Sequence, residues 1–331
     1  MARKLSVFAL LLLLAPAVAS AGPISSLYVF GDSLSDQGNG FLLTGGAFPP
    51  APYAGVASNG PVAVQELASN LGINLAPAAA GGTNYAVVGA TTGPVAVPGV
   101  PGLTTENIAQ LLYGQNALAN TGLLNQVGQF LMTAPVIDSA SSLFFVWGGA
   151  NDLFVDPSAQ TAANAIANIS TAIGALYQSG ARQFLVPNLP DLSLTPSGLE
   201  QPPLQQAGLR ALSVGFDAGL ASALGGLSML PDIKITQFNT FALLSGISAN
   251  PGAFGFTNAT QPCLTGILFG GGGTVCSTPD SYVFWDSVHP TTAAHHVLGD
   301  AFTVAVVPEP ATLALLGIGL ALSRRRARTP R

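Results

Sequence analysis

Two short segments near opposite ends of this chain carry residues of the kind that move acyl groups. Val29-Phe30-Gly31-Asp32-Ser33-Leu34-Ser35-Asp36 places a serine just past a short apolar run. Trp285-Asp286-Ser287-Val288-His289-Pro290 places a carboxylate three residues ahead of a histidine. A serine hydroxyl is a weak nucleophile until a base within hydrogen-bond reach takes its proton. Imidazole is the natural base near pH 7, and a carboxylate fixes its tautomer and stabilises the imidazolium. Ser33, His289 and Asp286 are therefore the candidate nucleophile, base and orienting acid. The chain holds only three histidines. His295 and His296 read as a solvated helix face, and a metal cluster of all three lacks carboxylate or thiolate partners. Asp32 reads as a turn and hydrogen-bonding residue. The surroundings of Ser33 are Gly-x-Ser-x-Ser, which differs from the Gly-x-Ser-x-Gly elbow of α/β-hydrolases.

Those residues need elements to hold them. Short apolar runs at 27–30, 85–88, 143–147, 183–186 and 233–238 read as strands, each bounded by glycine, proline or a polar residue. Helices are expected over 61–71, 123–131, 159–178, 204–224 and 291–301, the first with Pro61 in its first turn. Continuous apolar strands alternating with helices predict a parallel sheet covered on both faces. Ligands then sit outside the carboxyl ends of the strands, where Ser33, Gly89 and Asn151 fall.

The two termini read as addresses. Arg3 and Lys4 precede an apolar run, followed by Ala19-Ser20-Ala21. That is the order of a secretory signal peptide over 1–21, with the mature chain beginning at Gly22. The run is shorter than the ~20 residues a spanning helix needs, which argues against an uncleaved anchor. At the far end stand Val307-Pro308-Glu309-Pro310, an apolar stretch over 311–322, and Ser323-Arg324-Arg325-Arg326. With the ends removed, three basic residues face fourteen acidic ones, a net charge near −11. Such a body repels phosphate backbones and anionic lipid, which argues against nucleic acid as a partner. The remaining stretch, 22–307, suits one large domain, with no linker or repeat to divide it. Cys263 and Cys276 lie in a Gly-rich loop. In an exported chain they are expected to form a disulfide, since two thiols alone make a poor zinc site.

At these motifs the chain resembles the GDSL or SGNH hydrolases, a superfamily of serine esterases and lipases. Phe30 to Asn39 matches the family's first block, Asn84-Tyr85-Ala86-Val87-Val88-Gly89-Ala90 its second, Gly149-Ala150-Asn151-Asp152 its third, and Asp286-Ser287-Val288-His289-Pro290 its last. Ser58-Asn59-Gly60-Pro61 and Val186-Pro187-Asn188-Leu189-Pro190 are similar to further family segments. Val56 departs from the pattern, standing where the family often has arginine. The resemblance implies a three-layer α/β/α sandwich with a mainly parallel five-stranded, flavodoxin-like sheet. It also implies an oxyanion hole from the backbone N–H of Ser33, the backbone N–H of Gly89 and the side-chain amide of Asn151. Read without the family, Gly89 is a turn residue with positive φ and Asn151 a helix N-cap. The tail over 308–331 resembles the PEP-CTERM sorting signals of Gram-negative bacteria, which an exosortase processes.

Two function classes follow. The first is an exported serine ester hydrolase acting on a lipid or short-chain acyl ester, with a polysaccharide O-deacetylase as its alternative. The second is a non-catalytic exopolymer matrix protein. Ser33, Gly89, Asn151, Asp286 and His289 together favour the first, because a binding module has no use for all five. No cofactor or metal is expected. The expected partners are the ester, signal peptidase and an exosortase-type enzyme, for a monomer that is transiently anchored in the inner membrane and bound for the cell envelope or the medium.

Overall fold

The computed structural model describes residues 23–307. The expected signal peptide and sorting tail lie outside the described residues. The centre is a parallel sheet of four strands, β1 (Ser26–Gly31), β2 (Ser142–Trp147), β3 (Gln183–Pro187) and β4 (Lys234–Phe238), which lie side by side in chain order. Strand β2 is buried from end to end. Its run Leu143-Phe144-Phe145-Val146-Trp147 is apolar because both faces are covered, the reason the expected strand is recognisable by composition.

Alternate residues of the sheet feed two cores. Phe30, Phe144, Val146, Phe184 and Val186 face one way. They meet α2 (Leu123–Met132), α4 (Ala159–Gln178) and α5 (Pro203–Leu227) through residues such as Phe130, Ile173 and Phe216. Val29, Leu143, Phe145, Trp147 and Leu185 face the other way, against Leu67 of α1 (Ala63–Asn70) and Phe302 of α7 (Thr292–Val306). The Phe302 ring lies 5.3 Å from Phe145 and 5.8 Å from Trp147. Emptying that position is worth ~3–5 kcal/mol. This is the expected three-layer arrangement.

The sheet has four strands rather than five. The segment expected as a second strand does run beside β1: Val29 N–H donates to Thr83 O (3.0 Å), Tyr85 N–H to Val29 O (2.7 Å) and Val87 N–H to Gly31 O (3.1 Å). On its other side it meets the backbone of residues 76–78, where Asn84 N–H donates to Ala76 O (3.0 Å) and Ala78 N–H to Asn84 O (2.7 Å), and a set of side chains. Asn39 donates to Asn84 O (2.7 Å) and Ala86 O (2.9 Å), and Asp36 accepts from Val88 N–H (2.8 Å). A segment pinned this way forms isolated bridges, Val29 with Asn84 and Pro77 with Asn84, instead of a ladder.

Other boundaries moved by a few residues. Pro61 precedes α1 rather than sitting in its first turn; Val62 caps the helix, and Gln65 reaches back to Val62 N–H (2.9 Å). Among the elements that lack a clear sequence pattern are two of the larger ones. One is the hairpin Ala90–Ala96 with Thr104–Asn107. The other is α6 (Thr240–Ala249), capped by the Asn239 side chain. Between them, α3 (Ala150–Val155) follows β2 directly.

Candidate active site

Ser33 lies just beyond β1, on a turn that its own neighbours shape. Asp32 Oδ1 accepts from Leu34 N–H (3.0 Å), and its carbonyl accepts from Ser35 and Asp36 N–H. Asp36 is buried and accepts four backbone N–H groups, from Gly38 (2.7 Å), Asn39 (2.6 Å), Gly40 (3.0 Å) and Val88 (2.8 Å). Asn84 donates to Ser35 O at 2.8 Å. The first and second sequence blocks are thus tied together by their own polar side chains. Gly31 is required by close approach: a Cβ there would stand 2.4 Å from Trp147 O. Gly31 N–H and C=O are both met by the Gln126 amide, at 2.9 and 2.8 Å.

His289 approaches from the loop before α7. Its Nε2 lies 2.9 Å from Ser33 Oγ, and its Nδ1 lies 2.8 Å from Asp286 Oδ2. Asp286 cannot donate as a carboxylate, so Nδ1 carries the proton and Nε2 is free to accept from the serine. All three residues are buried. Asp286 Oδ1 accepts from Val288 N–H (2.8 Å) and His289 N–H (2.7 Å), which closes the loop on itself. The loop is anchored outward by Ser58 Oγ on Pro290 O (2.8 Å) and Thr292 N–H on Asn59 Oδ1 (2.8 Å).

Gly89 and Asn151 stand at the same cavity as Ser33 and His289. Gly89 has φ of 79°, and a Cβ there would lie 2.7 Å from Asn107 Oδ1 and 3.0 Å from Ala109 N, so no other residue fits. Among the described residues, the backbone N–H groups of Ser33 and Gly89 have no protein acceptor. Asn151 is not the helix cap: Gly149 occupies that position. Its amide donates one hydrogen to Ala90 O (2.8 Å), leaving a second for a ligand. The cavity measures about 290 Å³ and is lined mainly by apolar side chains, among them Ile108, Leu112, Tyr113, Phe154, Leu243 and Leu268.

Burial shapes the charges nearby. It pushes the Asp32 carboxyl up to about 6 against the hydrogen bond from Leu34 and the attraction of His289. It also pushes the Asp152 carboxyl up to about 7, although Thr92 donates to it twice. His295 departs from expectation. It is buried, not solvated, and its Nδ1 accepts from Ala63 N–H at 3.2 Å. Burial lowers its titration to about 3. His296 is exposed and pairs with Glu66 at 2.6 Å. The three histidines therefore face three different sets of partners.

Cys263 and Cys276 are joined. The disulfide closes the base of a hairpin, Leu264–Thr265 with Thr274–Val275. The hairpin's tip carries Phe269 to 5.3 Å from the His289 ring.

Two contributors carry no sequence motif. Gln126 sits among Leu123, Val127 and Phe130 on the buried face of α2; a lone amide on an apolar face is the signal that marks it. Tyr53 donates to Asp286 Oδ2 at 2.9 Å, and nothing local in its Pro-Gly-rich surroundings points to that partner.

Residues 27–302 match the family profile described as GDSL-like Lipase/Acylhydrolase. Residues 306–327 match the PEP-CTERM protein-sorting motif, a signal of export in Gram-negative bacteria that implies an exosortase-type processing enzyme. Esterase EstA of Pseudomonas aeruginosa is 32% identical over 347 residues, covering 90% of this chain and 49% of that protein. An uncharacterized protein of Pseudomonas putida, from the trpE-trpG intergenic region, is 30% identical over 324 residues, covering 90% of this chain and 51% of that protein. A GDSL esterase/lipase of Arabidopsis thaliana is 28% identical over 308 residues, covering 82% and 79%. The chain spans about half the length of the two Pseudomonas relatives.

Proposed function

This chain belongs to the GDSL-like lipase/acylhydrolase family, and on that premise we propose that it is an exported serine hydrolase of carboxylic esters that works through an acyl-enzyme. The observation that carries the reading is the continuous line Asp286–His289–Ser33, with spacings of 2.8 and 2.9 Å, opening on an apolar cavity. Ser33 Oγ attacks the ester carbonyl while His289 Nε2 takes its proton. The carbonyl oxygen becomes an oxyanion, received by the N–H groups of Ser33 and Gly89 and the amide of Asn151. His289 returns the proton to the leaving alcohol, and the acyl group stays on Ser33. Water, activated by His289 in turn, attacks the acyl-enzyme and releases the acid and the free serine.

The apolar lining favours an acyl chain over an acetylated glycan, whose hydroxyls would meet few partners there. The rest of the chain is assigned around this domain, as a signal peptide over 1–21, a monomeric hydrolase over 22–307 and a sorting tail over 308–331. Signal peptidase and an exosortase-type enzyme then deliver the hydrolase to the envelope or the medium.

The test is a series of p-nitrophenyl esters from acetate upward, run beside acetylated polysaccharide and a Ser33→Ala control. Each added methylene buried in the cavity should raise kcat/KM by up to roughly fourfold, from ~0.8 kcal/mol per buried methylene, until the cavity is full. A folded Ser33→Ala with the wild-type rate overturns the assignment. A preference for the acetylated polysaccharide replaces the acyl-ester reading with deacetylation.

A further inference from the structure

We propose that Tyr53 is a positioning residue for the Asp286–His289 pair, its hydroxyl sharing the Asp286 carboxylate and so setting how strongly that carboxylate holds the imidazolium form of His289. The proposal rests on the reading of His289 as the base.

The geometry is specific. The Tyr53 hydroxyl donates to Asp286 Oδ2 at 2.9 Å, the same oxygen that faces His289 Nδ1 at 2.8 Å. It also accepts from Phe269 N–H at 3.3 Å. With a donor behind it and a carboxylate in front, its proton has one direction to point. Asp286 Oδ1 is already occupied by Val288 and His289 N–H, so Tyr53 and the imidazole share Oδ2. The tyrosine ring is buried between Phe269 (4.9 Å) and Trp285 (6.3 Å), which removes its rotational freedom. Burial, with the charge of Asp286 behind it, pushes the phenol above its ordinary value of 10, so it remains a donor throughout the working range. Tyr113 also faces Asp286, while Asp32 and His295 face His289. Among these, Tyr53 alone has a hydrogen bond to the Asp286–His289–Ser33 line among the described residues.

A donor on a carboxylate withdraws negative charge from it. Without the Tyr53 hydroxyl, Oδ2 faces the imidazolium with its charge undivided. That form is then favoured, and the neutral base is populated only at higher pH. Tyr53→Phe keeps the ring and removes the hydroxyl. In the full chain it should move the acid limb of the kcat/KM profile up by about half to one pH unit, a three- to tenfold loss on that limb. Activity on the alkaline plateau and KM should change little. Incorporating 3-fluorotyrosine at position 53 strengthens the donor and should move the limb down.

The His289 ring titration, followed by NMR, reads the same shift without turnover. If it moves in Tyr53→Phe while no ester is hydrolysed by the wild type, the ester-hydrolase reading fails and the positioning role stands. If the titration midpoint stays within about 0.2 unit, or if activity falls equally at every pH, Tyr53 is packing alone and the proposal is overturned. Should Tyr53→Phe fail to fold, the fluorotyrosine chain decides: an unmoved midpoint overturns the proposal.

Discussion

Around Ser33, the residues that hold the turn are drawn from the neighbouring motifs: Asp32, Asp36 and Asn39 from the first block, Asn84 and Val88 from the second. Around His289, the loop closes through Asp286, but the surrounding frame comes from elsewhere. Tyr53, Ser58 and Asn59 arrive from one distant loop and Phe269 from a disulfide-closed hairpin. Gln126 is the one comparable outsider at the serine end. The serine end is a polar nest of short side chains, whereas the histidine end is clamped by aromatic rings and a crosslink. A nest of hydrogen bonds tolerates little change, because each lost partner leaves a buried N–H unsatisfied. A packed clamp can relax and lose alignment gradually.

The strongest way to break this contrast is Asp36→Asn. The amide offers one accepting oxygen and a repelling NH₂ to a site built from four donors. At ~1–3 kcal/mol for each donor left unpaired, the cost should reach several kcal/mol. Thermal unfolding should show a midpoint lowered by about 10 °C, from ~2–4 °C per kcal/mol. A midpoint within two degrees of wild type would mean the nest has other support.

Reducing Cys263–Cys276 probes the histidine end and should do less. A loop of this size is worth ~3 kcal/mol in the chain-entropy model, and the hairpin is peripheral to the sheet. Dithiothreitol should lower kcat/KM several-fold while far-UV circular dichroism holds steady, because Phe269 loosens before the domain unfolds. Unchanged kinetics after complete reduction would show that the hairpin does not hold the His289 ring.

The smallest effect concerns His295, also buried near the histidine end but outside the Asp286–His289–Ser33 line. Its folded titration lies near 3 against an ordinary 6.5, so the stability it contributes is present above pH 6.5 and is lost as pH falls toward 3. Asp32 and Asp152 run the opposite way. Their folded values, about 6 and about 7, exceed the ordinary 3.8, so their contribution is full below that value and is lost as pH rises through 6 and 7. Chemical denaturation of His295→Gln should therefore gain more stability than wild type on going from pH 7 to 5, by about 2 kcal/mol. Equal gains in the two proteins would show that His295 takes up its proton without disturbing the fold.

Much of this was legible from the chain. Strand β2 announces itself by an unbroken apolar run, and α4 has the bounds its pattern implies, with Ser158 capping it. Ser33, Asp286 and His289 were visible as types and spacings, and the structure brings them into one line. The second block is less transparent: its short apolar run looks like a strand, yet Asn39 and Asp36 consume hydrogen bonds a strand would use. His295 and His296 are adjacent and were indistinguishable by sequence; the packing of α7 on α1 buries one and exposes the other.

Residue types and short-range patterns settle the local chemistry: which residues can attack, accept a proton or turn the chain, and where apolar runs demand burial. Those depend on residue type and on periods of a few positions. Only the packed fold makes Tyr53 meet Asp286, ties off β1 with Gln126 and lines the cavity at Ser33 with apolar side chains. Each is a contact between segments far apart in the chain, and its free energy exists only once the sheet and both helical layers have closed around it.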